Sequence, residues 1–220
     1  MTGSRALEPS LRASGSQPAN PGESPPKSLQ EIAAGVEVCR RCDLWRDATQ
    51  GVPGEGPRHA RLMFVGEQPG DQEDLSGHPF VGPAGQVFDR ALAEAGVPRS
   101  EAYVTNAVKH FKHEQRGKRR MHKTPDAGEV QACRWWLMGE RRLVRPRLIV
   151  ALGGTAARAV LGRPVSVMKE RGAALALEDG GKGLVTVHPS FLLRLPDPEA
   201  KKAAYRDFVA DLAAAWRLVA

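Results

Sequence analysis

The segment RGKRRMHKTP, residues 116–125, places one histidine, His122, at the end of a run of cationic side chains. Lys and Arg runs of this kind bind the phosphates of a nucleic-acid backbone, so the segment predicts a polyanionic partner. An imidazole binds phosphate less well than another cation, but it can act as a nucleophile when it is neutral. Neighbouring cations disfavour a positive charge on the ring and so favour its neutral form. The segment is therefore interpreted as phosphate-binding, with His122 either reactive or without a chemical role.

Three cysteines form the second set of candidate chemical groups. Cys39 and Cys42 make a Cys-x-x-Cys pair, and Cys133 stands alone. In a reducing compartment this spacing is more typical of a metal or redox site than of a structural disulfide. With a histidine as the fourth ligand, the set suits either a Cys3His zinc site or an iron–sulfur cluster, and spacing alone does not decide between them.

Overall charge and hydropathy agree with a nucleic-acid partner and no membrane. The formal net charge is +7, which favours a polyanion. No apolar run approaches the length of a membrane span, and the N-terminus lacks the apolar stretch of a signal peptide. We therefore expect a cytoplasmic protein with no membrane association.

The elements that must position these groups follow a regular order along the chain. Residues 1–28 are rich in Ser, Pro and Gly and predict a disordered tail, whereas residues 29–220 predict one globular domain. Short apolar runs alternate with amphipathic helical patterns, which predicts an α/β three-layer sandwich with a central four-stranded parallel sheet. The predicted strands are residues 61–66, 102–106, 147–152 and 184–189. The predicted helices are residues 29–38, 84–95 and 126–144, one at GGTAARAVLG and a last one that includes residues 205–219.

Polar residues follow three of these strands. GEQPGD, residues 66–71, comes after the first strand, Asn106 ends the second, and HPS, residues 188–190, comes after the fourth. Each could be an ordinary turn, but ligands bind at the carboxyl ends of parallel strands, so together they predict one binding site. No G-x-G-x-x-G follows a strand, so a nucleotide cofactor is not expected.

These motifs, taken in order, resemble a known family. GEQPGD with HPFVGPAG, VTNAVKHF, KRRMHKTP, ACRWWL and VTVHPS is similar to the uracil-DNA glycosylase superfamily. More narrowly it resembles the UdgX type, the iron–sulfur relatives of family 4 that become covalently attached to uracil-containing DNA. The likeness extends from Leu29 to the C-terminus. One departure is Met121, which stands where the family usually has Ile, an apolar exchange of small effect.

The resemblance implies the uracil-DNA glycosylase fold, a monomer, and uracil-containing DNA as partner, with single strands preferred. It also implies a [4Fe–4S] cluster that ties segments of the fold together, with zinc as the less favoured alternative. The implied ligands are Cys39, Cys42, Cys133 and His110. His113 is the alternative histidine ligand and is otherwise expected to be a solvated surface residue.

For the flipped base, the resemblance implies that Asn106 reads the uracil edge, Phe80 stacks on its face and His188 contacts O2, while Gly66 and the backbone of Gln68 close the pocket. An Asn amide offers one donor and one acceptor, which match O4 and N3–H of uracil and mismatch cytosine. Without the resemblance, Phe80 would be taken as a core residue and Asn106 as a turn former.

For catalysis, the resemblance implies that His188 and Asn106 stabilise the departing uracil anion and that His122 forms a bond with the sugar carbon C1′. Glu67 is the candidate that orients His122 and accepts its second proton. Asp71 either shares this role or organises its loop.

The remaining implied contacts are with DNA. HPSFLLR, residues 188–194, is expected to be a loop that presses Phe191 or Leu192 into the duplex, or else a plain packed loop. The candidate DNA-binding residues are Lys118, Arg119, Arg120, Ser190 and Arg194.

Two other functions remain open at this point. One is a conventional multiple-turnover iron–sulfur uracil-DNA glycosylase. The other is a non-catalytic module that binds nucleic acid through the cations of residues 109–123.

Overall fold

The computed structural model of the protein describes residues 24–220. Most of the predicted tail, residues 1–23, lies outside the described residues. Immediately after it, Pro26 is buried and its carbonyl accepts a hydrogen bond from the Arg142 guanidinium. The Ser28 hydroxyl then accepts the amide of Glu31 at 3.1 Å and caps the first helix.

Helices and strands alternate along most of the chain. The strands are β1 (Leu62–Gly66), β2 (Ala102–Asn106), β3 (His113–Arg116), β4 (Arg119–His122), β5 (Leu148–Leu152), β6 (Ala174–Ala176) and β7 (Lys182–Thr186). The helices are α1 (Leu29–Glu37), α2 (Asp71–Ser76), α3 (Pro83–Glu94), α4 (Ala127–Val144), α5 (Gly154–Leu161), α6 (Val167–Glu170), α7 (Pro189–Arg194) and α8 (Pro198–Arg217), with short 3-10 turns at Asp43–Arg46 and Arg99–Glu101.

The predicted α/β sandwich is confirmed, with one difference in its sheet. The four predicted strands pair in parallel in the order β2-β1-β5-β7, and β6 adds a fifth, antiparallel strand at the edge beside β7. The sheet is therefore mixed and five-stranded. The sequence does not signal β6 because this Ala-Leu-Ala strand is short and half-exposed. The last predicted strand ends earlier than expected, at Thr186, because the chain turns into α7 at Pro189.

Successive side chains of the buried strands enter two separate cores. In β1, Leu62 and Phe64 pack with Phe88 of α3 and with residues of α7 and α8. Met63 and Val65 pack on the other face with residues of α1, α4 and α5. This alternation, with both faces covered, is why the strands are apolar along their whole length. Among residues 24–220, no helix is long and apolar enough to span a membrane.

An antiparallel hairpin, formed by β3 and β4, carries much of the cationic run. Arg116 pairs with Arg119, so Gly117 and Lys118 alone form the turn. Gly117 has a φ of 59°, and Gly at the first position of a two-residue turn suits a type II′ hairpin. The cationic segment is thus a regular element of structure, and its second strand ends on His122.

Candidate active site

The carboxyl ends of β1, β2, β5 and β7 open into one cleft of about 760 Å³. The turns predicted to converge at this edge do so. The sequence-predicted residues that line the cleft are Glu67, Gln68, Phe80, Asn106, His122, His188, Ser190 and Arg194. A cleft of this size has room for a nucleobase and part of its sugar.

The most buried polar residue of the cleft is Asn106. Asn106 ends β2, is 3% exposed, and lies beside Gly66 of β1 in the strand register. Within residues 24–220, its amide forms no hydrogen bond with another protein side chain, so it is available to a ligand. A Cβ on Gly66 would lie 2.3 Å from Asn106 Oδ1 and 2.8 Å from Phe80 Cζ. Only glycine therefore leaves space between the amide and the ring.

Phe80 forms the aromatic wall of the cleft. Its φ is 59°, a left-handed conformation that is costly for a bulky side chain. Packing holds it there: its ring lies 5.1 Å from that of Phe88 and 6.2 Å from that of His188. A Cβ on Gly85 would come within 1.7 Å of the Phe80 carbonyl oxygen, so this turn requires a glycine at the start of α3. Phe80 thus lines the cleft while packing against the core.

The hydrogen bonds of His188 determine which ring nitrogen carries its proton. The Ser190 amide donates to Nδ1 at 3.2 Å, and the Ser190 hydroxyl lies 2.8 Å from the same atom. Arg194 Nη1 in turn donates to the Ser190 hydroxyl oxygen at 2.9 Å. Because Nδ1 accepts, the neutral ring carries its proton on Nε2 and can donate into the cleft. Burial, together with the charges of Arg194 and His122, lowers the pKa of His188 to about 4.

This shift predicts that His188 stays neutral throughout the physiological range. A ¹H–¹³C NMR titration of the histidine Cε1 resonances should show one group with a pKa near 4, and this resonance should be missing from His188→Gln. Folding lowers the pKa from 6.5, so the free energy of unfolding should decrease as the pH falls from 6.5 through about 4. The unfolded state binds a proton there that the folded state excludes. A His188 titration midpoint close to 6.5 would contradict the assignment.

His122 and Glu67 form a polar pair at the mouth of the cleft. Glu67 follows β1 directly, and its Oε1 lies 3.4 Å from Nε2 of His122. Its other oxygen, Oε2, accepts a hydrogen bond from the Thr155 hydroxyl at 2.6 Å. The His122 side chain is 49% exposed, so a ligand in the cleft can reach it. This is the pairing proposed for Glu67 from the sequence.

The side chain of Gln68 anchors the base of the hairpin. Its Nε2 donates to the carbonyls of Lys112 and Lys123 at 3.1 and 3.0 Å, and its Oε1 accepts the Lys112 amide at 3.0 Å. These two lysines flank β3 and β4. From the sequence only the Gln68 backbone was expected to matter, whereas its buried side chain fixes the strand end that carries His122.

Arg120 and Asp71 hold the outer part of the hairpin against α2. Arg120 Nε donates to Asp71 Oδ1 at 2.6 Å, and its Nη1 donates to the buried Asp74 Oδ2 at 2.5 Å and to the Thr49 hydroxyl at 3.1 Å. Arg120 was expected to bind phosphate, and Asp71 either to share the role of Glu67 or to organise its loop. Arg120 instead bonds Asp71, Asp74 and Thr49, and this contact of Asp71 corresponds to the second of its two alternatives.

The exposed cationic surface is smaller than the sequence suggests. Lys109 is fully buried and pairs with Glu140 at 2.7 Å, and Lys112 pairs with Glu129 at 2.7 Å. At the hairpin tip, Lys118 and Arg119 are exposed and have no acidic partner among residues 24–220. Within residues 109–123, the cations free to meet a phosphate are therefore those of the hairpin tip.

The segment HPSFLLR forms helix α7 rather than the expected loop. Leu192 is 1% exposed within the core, so it is not available as a wedge. Phe191 lines the cleft and Leu193 is 40% exposed. Of the two wedge candidates, Phe191 therefore stays a prediction, whereas the helical turn directs Leu192 inwards.

The three cysteines lie in one region of the fold. Cys39 and Cys133 are buried; Cys39 Sγ accepts the Trp136 indole N–H and Cys133 Sγ accepts the Lys109 amide, both at 3.2 Å. Burial raises the pKa of the Cys133 thiol to about 12, and the nearby Cys42 and Cys39 also contribute. All three thiols are free.

The two candidate histidine ligands lie in different surroundings. His110 is 4% exposed; burial lowers its pKa, and the charges of Asp74, Glu37 and Arg40 also act on it. His113 is half-buried, with its ring 5.0 Å from that of Phe111, and is not the solvated residue expected from the sequence. In the part of the chain described, no group of three or more His, Cys, Asp or Glu side chains is arranged to hold a metal ion.

Glu73 is a residue of the cleft that sequence reasoning missed. Its Oε1 accepts the Gly82 amide at 2.9 Å and its Oε2 accepts the Gly70 amide at 3.1 Å. It therefore holds together the two turns that bring Phe80 and Gln68 to the cleft. The acid-rich start of α2, directly after GEQPG, was the available signal.

Comparisons with known proteins identify the family of this chain. Residues 53–213 match the family model described as Uracil DNA glycosylase superfamily. The chain is 36% identical over 180 residues to the type-4 uracil-DNA glycosylase of Thermotoga maritima, which covers 81% of this chain and 90% of that protein. It is 34% identical over 177 residues to the type-4 enzyme of Archaeoglobus fulgidus, with 77% and 85% covered. The match to the type-4 enzyme of Sulfurisphaera tokodaii is 33% over 189 residues, with 82% of each covered. The chain belongs to the uracil-DNA glycosylase superfamily.

Proposed function

We propose that this protein excises uracil from DNA and remains joined, through His122, to C1′ of the resulting abasic sugar. The observation that carries the proposal is the His122–Glu67 pair, which stands at the mouth of the cleft lined by Asn106, Phe80 and His188. The type-4 relatives carry the name uracil-DNA glycosylase. The covalent step is the UdgX-type reaction indicated by the KRRMH segment.

Uracil recognition follows from the groups left open in the cleft. The Asn106 amide supplies one donor and one acceptor for O4 and N3–H, and the Phe80 ring covers the face of the base. His188 Nε2–H supplies a donor for O2. Cytosine would leave Asn106 mispaired, and a buried unpaired polar group strongly disfavours the wrong substrate.

The reaction requires a nucleophile for C1′ as the base departs. When the glycosidic bond breaks, its electron pair stays on uracil, and the donors of His188 and Asn106 stabilise the anion. A lone pair of neutral His122 forms the new bond to C1′, and the proton on the other ring nitrogen passes to Glu67. Once that proton is lost, the alkylated imidazole is a poor leaving group, so the adduct persists.

DNA binding is assigned to the hairpin and to α7. Lys118 and Arg119 meet the phosphates near the flipped nucleotide, and Ser190 and Arg194 meet the opposite side of the cleft. The hairpin is fixed at its base by Gln68 and along its length by Arg120, so His122 is positioned before DNA arrives. We propose single-stranded DNA as the preferred substrate and a monomer as the active form.

The test is a denaturing gel of the protein mixed with single-stranded DNA that contains one uracil. A boiling-resistant shifted band, with one free uracil per protein, is expected, and the same strand with thymine should give neither. Free uracil in molar excess without the band would identify a conventional glycosylase. Equal binding of both strands with no base release would identify a non-catalytic module.

We also propose a [4Fe–4S] cluster held by Cys39, Cys42, Cys133 and His110, with zinc as the alternative. The donor types fit a Cys3His set, and the N–H groups that donate to Cys39 and Cys133 are of the kind that stabilise bound thiolates. When bound, the cluster cross-links the segments that carry its ligands. Iron and sulfide analysis of freshly purified protein, with a visible absorption band, distinguishes it from zinc.

A single methyl group at Gly66 should block uracil binding. In Gly66→Ala the new Cβ meets Asn106 Oδ1 and the Phe80 ring at distances that force one of them to move. We expect uracil release to slow by about 100-fold or more, because small displacements of positioned groups have effects of this size. Gly128→Ala is the matched control: this site lies in α4, where Ala favours the helix, and release should be unchanged. Normal release by Gly66→Ala would contradict the pocket assignment.

A further inference from the structure

The turn between β5 and α5 contacts both halves of the candidate active site. Gly153 and Gly154 line the cleft, and a Cβ on Gly153, whose φ is 89°, would lie 3.2 Å from the Cβ of His188. Thr155 follows them, and its hydroxyl donates to Glu67 Oε2 at 2.6 Å. This turn therefore touches the residue that faces the base and the residue that faces His122.

The two carboxylate oxygens of Glu67 have different partners. Oε2 accepts from Thr155, while Oε1 lies 3.4 Å from His122 Nε2. A glutamate on a turn has several rotamers, and its side chain here is 23% exposed. Thr155 sits in the first turn of a helix and has few χ1 rotamers, so it offers a positioned donor to a side chain that has more rotamers of its own.

The hydrogen bond from Thr155 to Glu67 is not part of the N-terminal cap of helix α5. Gly153 is the N-cap residue of α5 and makes no side-chain cap bond. The hydrogen bond from the Thr155 side chain goes instead to a carboxylate 88 positions away in the chain. Its partner, Glu67, is the group that the proposed reaction uses as a proton acceptor.

We propose that Thr155 is a positioning residue that holds Glu67 in the rotamer needed to orient His122 and to accept its proton. This rests on the proposed function. As His122 bonds to C1′, uracil leaves with the electron pair of the glycosidic bond, and the ring proton moves to Oε1 of Glu67. Thr155 keeps its own proton and occupies Oε2, so Oε1 remains the oxygen that accepts.

The test uses Thr155→Val, which removes the hydroxyl and keeps the branched shape, with Thr155→Ser as the conservative variant. Under single-turnover conditions the protein is mixed with uracil-containing single-stranded DNA, and adduct and free uracil are measured separately. Thr155→Val should form adduct about 10- to 100-fold more slowly, and Thr155→Ser should stay within about threefold of the wild type. Wild-type adduct rates in Thr155→Val would overturn the proposal.

A second comparison separates positioning from simple loss of structure. Thr155→Val is also made together with Glu67→Gln. If Thr155 acts through Glu67, the double variant should be no slower than Glu67→Gln alone. Additive losses, or a Thr155→Ser variant as slow as Thr155→Val, would show a structural role and overturn the proposal. Thermal unfolding of each variant checks that the protein is folded at the assay temperature.

Failure of the covalent reaction can be distinguished from failure of this inference. If the wild type releases uracil in excess and forms no adduct, the proposed function is wrong, and the same variants are compared by uracil release. A 10-fold slower release in Thr155→Val, restored in Thr155→Ser and absent in the Glu67→Gln background, would still support positioning of Glu67. Unchanged release would overturn it.

Discussion

Replacing His122 by serine should abolish the boiling-resistant band while uracil release continues. His122 is the half-exposed imidazole at the mouth of the cleft. Among residues 24–220, no hydrogen bond or ring contact joins it to Asn106, Phe80 or His188, the residues proposed to bind the base. The loss of adduct should be complete on a gel, at least about 10³-fold, because removing a nucleophile removes the step itself. Water can then take the place of the imidazole at C1′, so His122→Ser should turn over.

The matched control is the second histidine of the same hairpin. His113 pairs with His122 across the two strands, and its ring stacks on Phe111 at 5.0 Å. His113→Ser should retain the covalent band, since this ring does not line the cleft. A band that persists in His122→Ser, or disappears equally in both variants, would show that another residue is the nucleophile or that the hairpin has been disturbed. Peptide mapping of the wild-type adduct then identifies the attached residue.

The sheet and its ligand-binding edge were predictable from local pattern. Apolar runs such as RLMFVG and RLIVAL have the length and composition of buried parallel strands, and amphipathic helices separate them. Topology then dictates that the residues after the strands meet at one edge, so Glu67, Asn106 and His188 could be placed together without coordinates. The edge strand β6 could not be predicted in this way, because its three residues bury too little apolar surface to give an apolar run in the sequence.

The hairpin was missed, although its signal was present. In HEQRGKRRMH a glycine stands in the middle of a short polar stretch, which is the position that a two-residue turn requires. The strands on either side are exposed and charged, so they lack the alternation that marks a half-buried strand. The composition of this segment predicted a polyanionic partner but gave no indication of its hairpin structure.

The sequence could not show which Lys and Arg side chains lack an acidic partner. The acidic partners of Arg120 and Lys109 come from distant segments: Asp71 and Asp74 in α2, and Glu140 in α4. A run of positive charge gives no information on such pairing, because the partners are set by how α2 and α4 pack against the hairpin and the sheet. The hydrogen bond between Thr155 and Glu67 could not be predicted for the same reason, because it joins two residues 88 positions apart in the sequence.

Replacing the buried Lys109 by methionine should cause the largest loss of stability among these variants. Both Lys109 and Glu140 have side chains with 0% exposure, and Lys109 Nζ donates to Glu140 Oε2, the Thr105 hydroxyl and the Asn106 carbonyl at 2.7, 2.5 and 2.8 Å. Glu140 Oε1 also accepts the Gly54 amide at 2.8 Å. Every ammonium hydrogen has an acceptor, which is the condition for a buried charge to be tolerated.

Lys109→Met leaves the Glu140 carboxylate buried without its cation, so the free energy of unfolding should fall by about 3–5 kcal/mol. Urea unfolding measures this, and Lys118→Met, which removes an exposed lysine from the hairpin turn, should change it by less than about 0.5 kcal/mol. In Lys109→Met with Glu140→Gln, the unpaired charge is gone and the Gly54 amide keeps an acceptor. The double variant should therefore be more stable than Lys109→Met alone. If Lys109→Met lies within about 1 kcal/mol of the wild type, the buried pair does not support the fold.

The same pair links stability to the proposed base recognition, because Lys109 bonds the backbone of Asn106, the residue proposed to face the uracil edge. In Lys109→Met the Asn106 carbonyl loses its donor, so the strand end that aims the amide into the cleft is less constrained. At a temperature where the variant is still folded, uracil release should therefore be slower than in the wild type, and it should recover less than stability does in the double variant. Glutamine at position 140 removes the unpaired charge, but it does not replace the ammonium group that holds Asn106. Equal recovery of stability and release would show that Lys109 affects the site only through the fold.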